Sequence, residues 1–181
     1  IDLVTLAKAA QQSAAFEALV KRHQAPLRAF LVRLTGDAAH ADDLAQEAFL
    51  KAFRGLDGFR GGASFRSWLF SIAMREAAMA RRKDAARNRL AAKAVDDTDS
   101  ASPAEFSIDL QRALETLTAE ERAAALLCDA AGFSHAEAAN AMAAPLGTVK
   151  TLVARAREKL RAAMTTGRDD NENAARDAAC G

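Results

Sequence analysis

Tyrosine is absent from this chain of 181 residues, tryptophan occurs once, and there are three prolines, nine glycines and two cysteines. With turn formers and β-formers this scarce and alanine abundant, the composition favours helix over sheet. Cys128 and Cys180 share no motif spacing, so a disulfide framework is not expected. His23, His40 and His135 stand far apart, with no cysteine or second histidine at ligand spacing, so neither a metal nor a cofactor is expected. No apolar run approaches the ~20 residues that cross a bilayer. No signal peptide is visible, although the chain begins at Ile1 rather than Met. No Ser-His-Asp set, phosphate loop or carboxylate pair in a pocket-like context argues for an enzyme. Excess charge of one sign is missing too: 25 Lys and Arg face 24 Asp and Glu, for a net charge of +1.

What is present is charge sorted into blocks. From Asp37 to Leu50 stand Asp37, Asp42, Asp43 and Glu47 with no Lys or Arg. From Phe65 to Leu90 stand Arg66, Arg75, Arg81, Arg82, Lys83, Arg87 and Arg89 against Glu76 and Asp84. From Ala94 to Asp109 there are five acids and no base. Alternating blocks of this kind suggest a polyanionic ligand and, separately, a basic protein partner.

Half of the residues are hydrophobic, and their periodicity is helical. Phe16, Leu19, Val20, Leu27, Phe30, Leu31 and Leu34 share a face, Gly36 ends that helix, and Pro26 is expected to bend or split it. Asp37 caps a second helix, with Leu44, Ala48, Phe49, Ala52, Phe53 and Leu56 inward. "GLDGFRGGAS", Gly55 to Ser64, holds four of the nine glycines and reads as a loop. Ser64 then caps a helix that buries Phe65, Trp68, Leu69 and Ile72. The run "KAVDDTDSAS" is acidic and aperiodic and reads as a linker. Helix restarts at "SPAE", Ser102 to Glu105, and two further capping boxes follow at Thr118 and Ser134. The fold class is all-α: two small helical domains, residues 1–92 and 105–166, joined by a flexible acidic linker at 93–104, with a polar tail at 167–181 read as disordered.

A short helix from Ser134 to Met142, the turn "AAPLG" and a second helix burying Val149, Val153, Ala156 and Leu160 describe a helix-turn-helix. Lys150, Arg155, Arg157, Lys159 and Arg161 lie on that second helix, with Glu158 its one acid over Pro145 to Ala163. Such a helix places its first residues against base edges and its later cations against phosphates. On the residues alone, a surface helix with a solvated basic face is the favoured reading.

The words "GFSHAEAANAM" and "PLGTVKT…RAREKLR", with "DDLAQEAFLKAFRGLDGF" and "FRSWLFSIA" in the first half, resemble the extracytoplasmic-function (ECF) sigma factors of the bacterial sigma-70 family. The resemblance spans about Ala15 to Met164. It implies a transcription initiation factor that directs core RNA polymerase to promoters. Asp42, Asp43, Gln46 and Glu47 match the surface for the clamp helices of the largest polymerase subunit, and the flap is a further expected contact. Phe65, Arg66, Arg75, Arg81, Arg82 and Lys83 match the element that opens and captures the −10 strand, with Trp68 read as core. Thr148, Lys150, Thr151, Arg155 and Arg157 match positions that meet the −35 element. The resemblance also implies an anti-sigma partner, able to hold a factor of the bacterial cytoplasm at the membrane without its own insertion. The chain departs from the family pattern at Arg75, where an Asn is usual, at Met79, where an Asp is frequent, and at Leu152, where a base is usual. Those departures leave two rivals open: a sigma-like decoy that sequesters an anti-sigma factor, and a repressor that binds duplex DNA without polymerase.

Overall fold

The computed structural model describes residues 13–91 and 108–179, with side chains over 14–87 and 110–164. The expected linker at 93–104, the restart box Ser102 to Glu105, and Cys180 lie outside them. Every regular element among the described residues is helical.

Three helices make the first lobe: α1 (Ser13–Thr35), α2 (Ala38–Gly55) and α3 (Phe65–Ala91). Helix α1 runs through Pro26 unbroken, so of the expected bend or split the split does not occur. A mid-helix proline forfeits a hydrogen bond and costs about 3 kcal/mol. Burial on both sides of it offsets that cost, since Phe16, Leu19, Leu27, Phe30 and Leu31 all lie in the core. Gly36 closes α1 in the left-handed region, φ 77°, which a side chain would resist. The Asp37 carboxylate then accepts the His40 amide at 3.0 Å and starts α2. A single 3-10 turn, Leu56–Gly58, ends α2, and Ser64 caps α3 by accepting the Ser67 amide at 3.1 Å.

The second lobe holds α4 (Ile108–Glu115), α5 (Ala119–Ala125), a π turn (Leu126–Ala130), α6 (His135–Met142) and α7 (Leu146–Ala179). Both capping boxes read from the sequence form. Thr118 and Glu121 exchange side chain and amide, as do Ser134 and Glu137. Each box satisfies two helix-end amides, and each cap is worth about 1 kcal/mol. Val149, Val153 and Ala156 of α7 are fully buried. Beyond them α7 continues to Ala179, through residues read as a disordered tail. Alanine-rich and without proline, that stretch holds no interior breaker stronger than Gly167.

The lobes do not stand apart. One apolar core runs through both, and α3 packs on α6 as well as on α1 and α2. Phe70 is the reason. It faces away from the Phe65, Leu69 and Ile72 stripe, yet none of it is exposed. Its ring lies 5.2 Å from Phe30 of its own lobe and 5.0 Å from Phe133 of the other.

Candidate nucleic-acid and protein-binding faces

The start of α7 is the most open cationic surface of the second lobe. Thr148, Lys150, Thr151 and Arg155 are all exposed. Among the described residues Lys150 and Arg155 have no intramolecular partner, and the Thr151 hydroxyl donates to the Gly147 carbonyl at 3.0 Å. The helix is aimed by what it buries: Val149, Val153 and Ala156 pin the opposite face. Its approach is set by Ala143, which holds α6's end in the left-handed conformation, φ 50° and ψ 43°. The Ala143 and Ala144 amides reach back to α6 carbonyls of Asn140 and Ala139.

Further along α7 the cations are not open. Arg157 donates two hydrogen bonds to the Asp129 carboxylate of the π turn, at 3.1 and 2.5 Å. That carboxylate lifts the guanidinium's already high pKa. Lys159 donates to Glu121 at 2.7 Å. Glu121 is buried, and the Lys159 ammonium, followed by the Thr118 amide, holds its carboxyl below the usual carboxylate range. The sequence grouped Arg157 with the nucleic-acid contacts; the structure gives it an internal partner. Only the long-range pairing with Asp129 distinguishes it from Arg155, and spacing along α7 carries no sign of that.

In the first lobe Phe65 is buried, its ring edge-on to Phe16, Phe59 and Trp68 at 6.4, 6.3 and 5.8 Å. Buried in this way, it offers no stacking platform in this arrangement. Trp68 is half-buried, tilted against Phe59 at 4.8 Å. A Cβ at Gly55 would stand 3.3 Å from the indole, so glycine there lets α2 approach the ring. Arg75, Arg82 and Lys83 are exposed along α3, with Arg75 donating to the Ser71 hydroxyl at 3.3 Å and Arg82 to its own helix at Ala78. Met79 is exposed beside them.

Arg66 and Arg81 lean the other way, onto the second lobe. The Arg66 guanidinium donates to the Ala131 carbonyl, lies 4.4 Å above the Phe133 ring and sits 5.7 Å from Phe70. Arg81 meets Glu120 at 3.8 Å. A cleft of about 530 Å³ remains beside that pair, with Leu34, Met74 and Met142 in its walls.

The acidic face of α2 is less bare than its sequence suggests. Arg28 of α1 binds Asp42 at 2.6 and 3.4 Å. Lys51 stands 3.6 Å from Glu47 and 2.5 Å from Glu76 of α3. Asp43 is exposed and has no cation against it among the described residues. Gln46 lines a shallow groove with Val20, Gln24, Asp42 and Phe49. Leu50 and Phe53 extend this side as exposed apolar surface. Among the described residues no group of three or more His, Cys, Asp or Glu could hold a metal, and no helix is long and apolar enough to cross a membrane.

Comparison with known proteins divides the chain at the same place. Residues 19–87 match Sigma-70 region 2, and residues 107–160 match Sigma-70, region 4. The RNA polymerase sigma-H factor of Pseudomonas aeruginosa is 32% identical over 171 residues, covering 81% of this chain and 84% of that one. The ECF RNA polymerase sigma factor EcfG of Rhodopseudomonas palustris is 36% identical over 141 residues, covering 75% and 77%. Among solved structures, the sigma factor RpoE in complex with the anti-sigma factor NepR from Bartonella quintana superposes with a TM-score of 0.74 at 30% identity, covering 83% of this chain and 96% of that one.

Proposed function

The chain belongs to the sigma-70 family, within its ECF group of RNA polymerase sigma factors, and from that premise we propose that it binds core polymerase and directs it to promoters. The first lobe, α1 to α3, would dock on the largest subunit through Asp42, Asp43, Gln46 and Glu47, with the flap as a further contact. It would open the −10 element along Arg66, Arg75, Arg81, Arg82 and Lys83. The second lobe would meet the −35 duplex through Thr148, Lys150, Thr151 and Arg155. Chemistry would belong to the polymerase; this chain supplies the address and the strand opening.

The observation that carries this reading is the pairing of two unlike exposed faces on two lobes. An open cationic helix start lies on α7, and a carboxylate flank bordered by Leu50 and Phe53 lies on α2. A repressor acting alone has use for the first and none for the second. Cations at the rim of a duplex release condensed counterions, and the first turn of a recognition helix reads base edges. An acidic flank with apolar neighbours fits a basic protein groove, not nucleic acid. The RpoE–NepR complex supports a further element, an anti-sigma factor that binds this chain and keeps it from polymerase.

Run-off transcription tests the whole. Purified core plus this protein, on genomic fragments, should yield transcripts whose mapped 5′ ends share upstream elements. No transcript from any promoter library, together with retained anti-sigma binding, would establish the decoy instead.

A further inference from the structure

Arg122 of α5 is a cation without an anion. Half-buried, it donates to the Leu114 carbonyl at 3.0 Å and to the Leu34 carbonyl at 3.4 Å. Those bonds leave most of a guanidinium's N–H donors unused. Among the described residues no carboxylate stands within ion-pair distance of it. Burial lowers its pKa; Glu115 opposes that from farther off, and Arg81 adds to it. A partly desolvated charge held by carbonyls alone has much to gain from an anion brought to it.

The same residue lines the cleft of about 530 Å³, a volume within the about 300–1,000 Å³ of small-molecule sites. Its walls are mainly apolar: Leu34 from α1, Met74 and Ala78 from α3, and Met142 from α6. Methionine is unbranched and polarizable, so two of them let the walls adjust to an apolar guest. The other charged groups on the cleft are already matched. Arg81 meets Glu120 at 3.8 Å, and Asp84 meets Arg87 at 3.2 Å. With those pairs cancelled, the charge left over is that of Arg122. His40 also lines the cleft, and its imidazole has no intramolecular partner among the described residues.

We propose that this cleft is a binding site for a small amphipathic anion, a single carboxylate on a compact apolar body, with its head group on Arg122 and His40 and its apolar part against Leu34, Met74 and Met142. One negative charge fits better than two. A guanidinium meets a carboxylate with two parallel hydrogen bonds, whereas a doubly charged phosphate would bring surplus charge against Glu120 and Asp84. Because the walls come from both lobes, an occupant stabilises the folded chain as a whole. Binding here uses neither the start of α7 nor the acidic flank of α2, so its test does not depend on the sigma reading.

Decanoate, kept below its micellar concentration, is the probe, and decanol is the neutral control of the same length. Calorimetric titration of the full chain should show saturable binding of one decanoate per chain, about tenfold or more tighter than decanol. The thermal midpoint should rise with decanoate, by about 5 °C or more at a hundredfold excess over the dissociation constant. Arg122→Gln should weaken decanoate about tenfold and leave decanol unchanged, a selectivity that a general loss of structure would not produce. Ala78→Phe puts a ring into the cleft from the α3 wall and should abolish binding of both probes with helicity intact; it decides the matter should Arg122→Gln fail to fold. Equal affinities for decanoate and decanol would overturn the proposal, because the charge would then play no part. Decanoate binding undiminished in Ala78→Phe would overturn it by placing the probe elsewhere, such as on the exposed Leu50 and Phe53. Absence of binding to the parent chain would overturn it too. Should binding then appear when Asp96→Asn, Asp97→Asn and Asp99→Asn are combined, the occupant is the chain's own acidic linker instead. None of these results touches the sigma reading, which run-off transcription decides.

Discussion

The Arg157 guanidinium grips the Asp129 carboxylate with two parallel hydrogen bonds, tying the middle of α7 to the π turn. A cation already held in this way is a poor candidate for displacing counterions from DNA, because its pair with Asp129 must break before the guanidinium can neutralise a phosphate. Arg157→Ala should therefore leave the salt dependence of promoter binding by reconstituted holoenzyme unchanged. Asp129→Ala should have no further effect in the Arg157→Ala background. A slope that falls by about 0.9 in Arg157→Ala would place Arg157 on a phosphate after all.

Lys150 and Arg155 lie one and two turns into α7, exposed and without internal partners among the described residues. If their side chains reach base edges, each alanine substitution should cost about 1–3 kcal/mol of −35-dependent initiation. The two costs should appear as relaxed sequence preference across a −35 library, not as uniform weakening. Unchanged promoter output from the double variant would dismiss both assignments.

Much of this was legible in the chain because the signals are local. Asp37, Ser64, Thr118 and Ser134 cap helices with residues one turn away, and Val149, Val153 and Ala156 announce their face by spacing alone. What escaped was long-range. Phe70 is off the stripe of α3 and is buried because another lobe covers it, a fact that no periodicity within α3 contains. Phe65 stands at a loop exit, where an aromatic can face core or solvent; the choice was made by Phe16 and Phe59, from elsewhere in the chain. The α2 carboxylates looked unopposed because Arg28 is fourteen residues from Asp42 and on another helix.

That last pairing ranks the acidic residues. Asp42 is shared with Arg28 and Glu47 with Lys51, whereas Asp43 has no cation among the described residues to surrender. Asp43→Ala should weaken binding to core polymerase more than Asp42→Ala does, and Asp43→Ala with Glu47→Ala should weaken it further with helicity intact. Competition against a labelled sigma factor for core, alongside far-ultraviolet circular dichroism, measures both. Equal affinity of the double variant and the parent would separate this face from polymerase.

Acid should loosen the second lobe first through Glu121. Its folded carboxyl is held below the usual range by Lys159 and the Thr118 amide, so the unfolded state binds the proton more readily. The stabilisation is complete above the ordinary glutamate pKa of about 4.3 and is lost as pH falls through the lower folded value. Between those two values stability should rise with pH. Glu121→Gln keeps the side chain's length and an amide oxygen but cannot titrate, and it should flatten that part of the pH–stability curve. Chemical denaturation from pH 3 to 6 tests this; an unchanged slope in Glu121→Gln would assign the acid sensitivity elsewhere.

Ala143 ends α6 at φ 50°, a conformation in which a Cβ crowds the following carbonyl and which costs an L-residue about 1–2 kcal/mol. Glycine is the usual occupant of such a helix end. The strain persists because the Ala143 and Ala144 amides satisfy α6 carbonyls and because Val149, fully buried, fixes where α7 must begin. Ala143→Gly relieves the crowding but gives the unfolded chain more freedom, so the net gain should be about 0.5–1 kcal/mol. Thermal unfolding should show a higher midpoint. Because the turn already has the geometry that glycine prefers, −35 binding should be unchanged. A lower midpoint would mean that Ala143's methyl contributes packing worth more than the strain it carries.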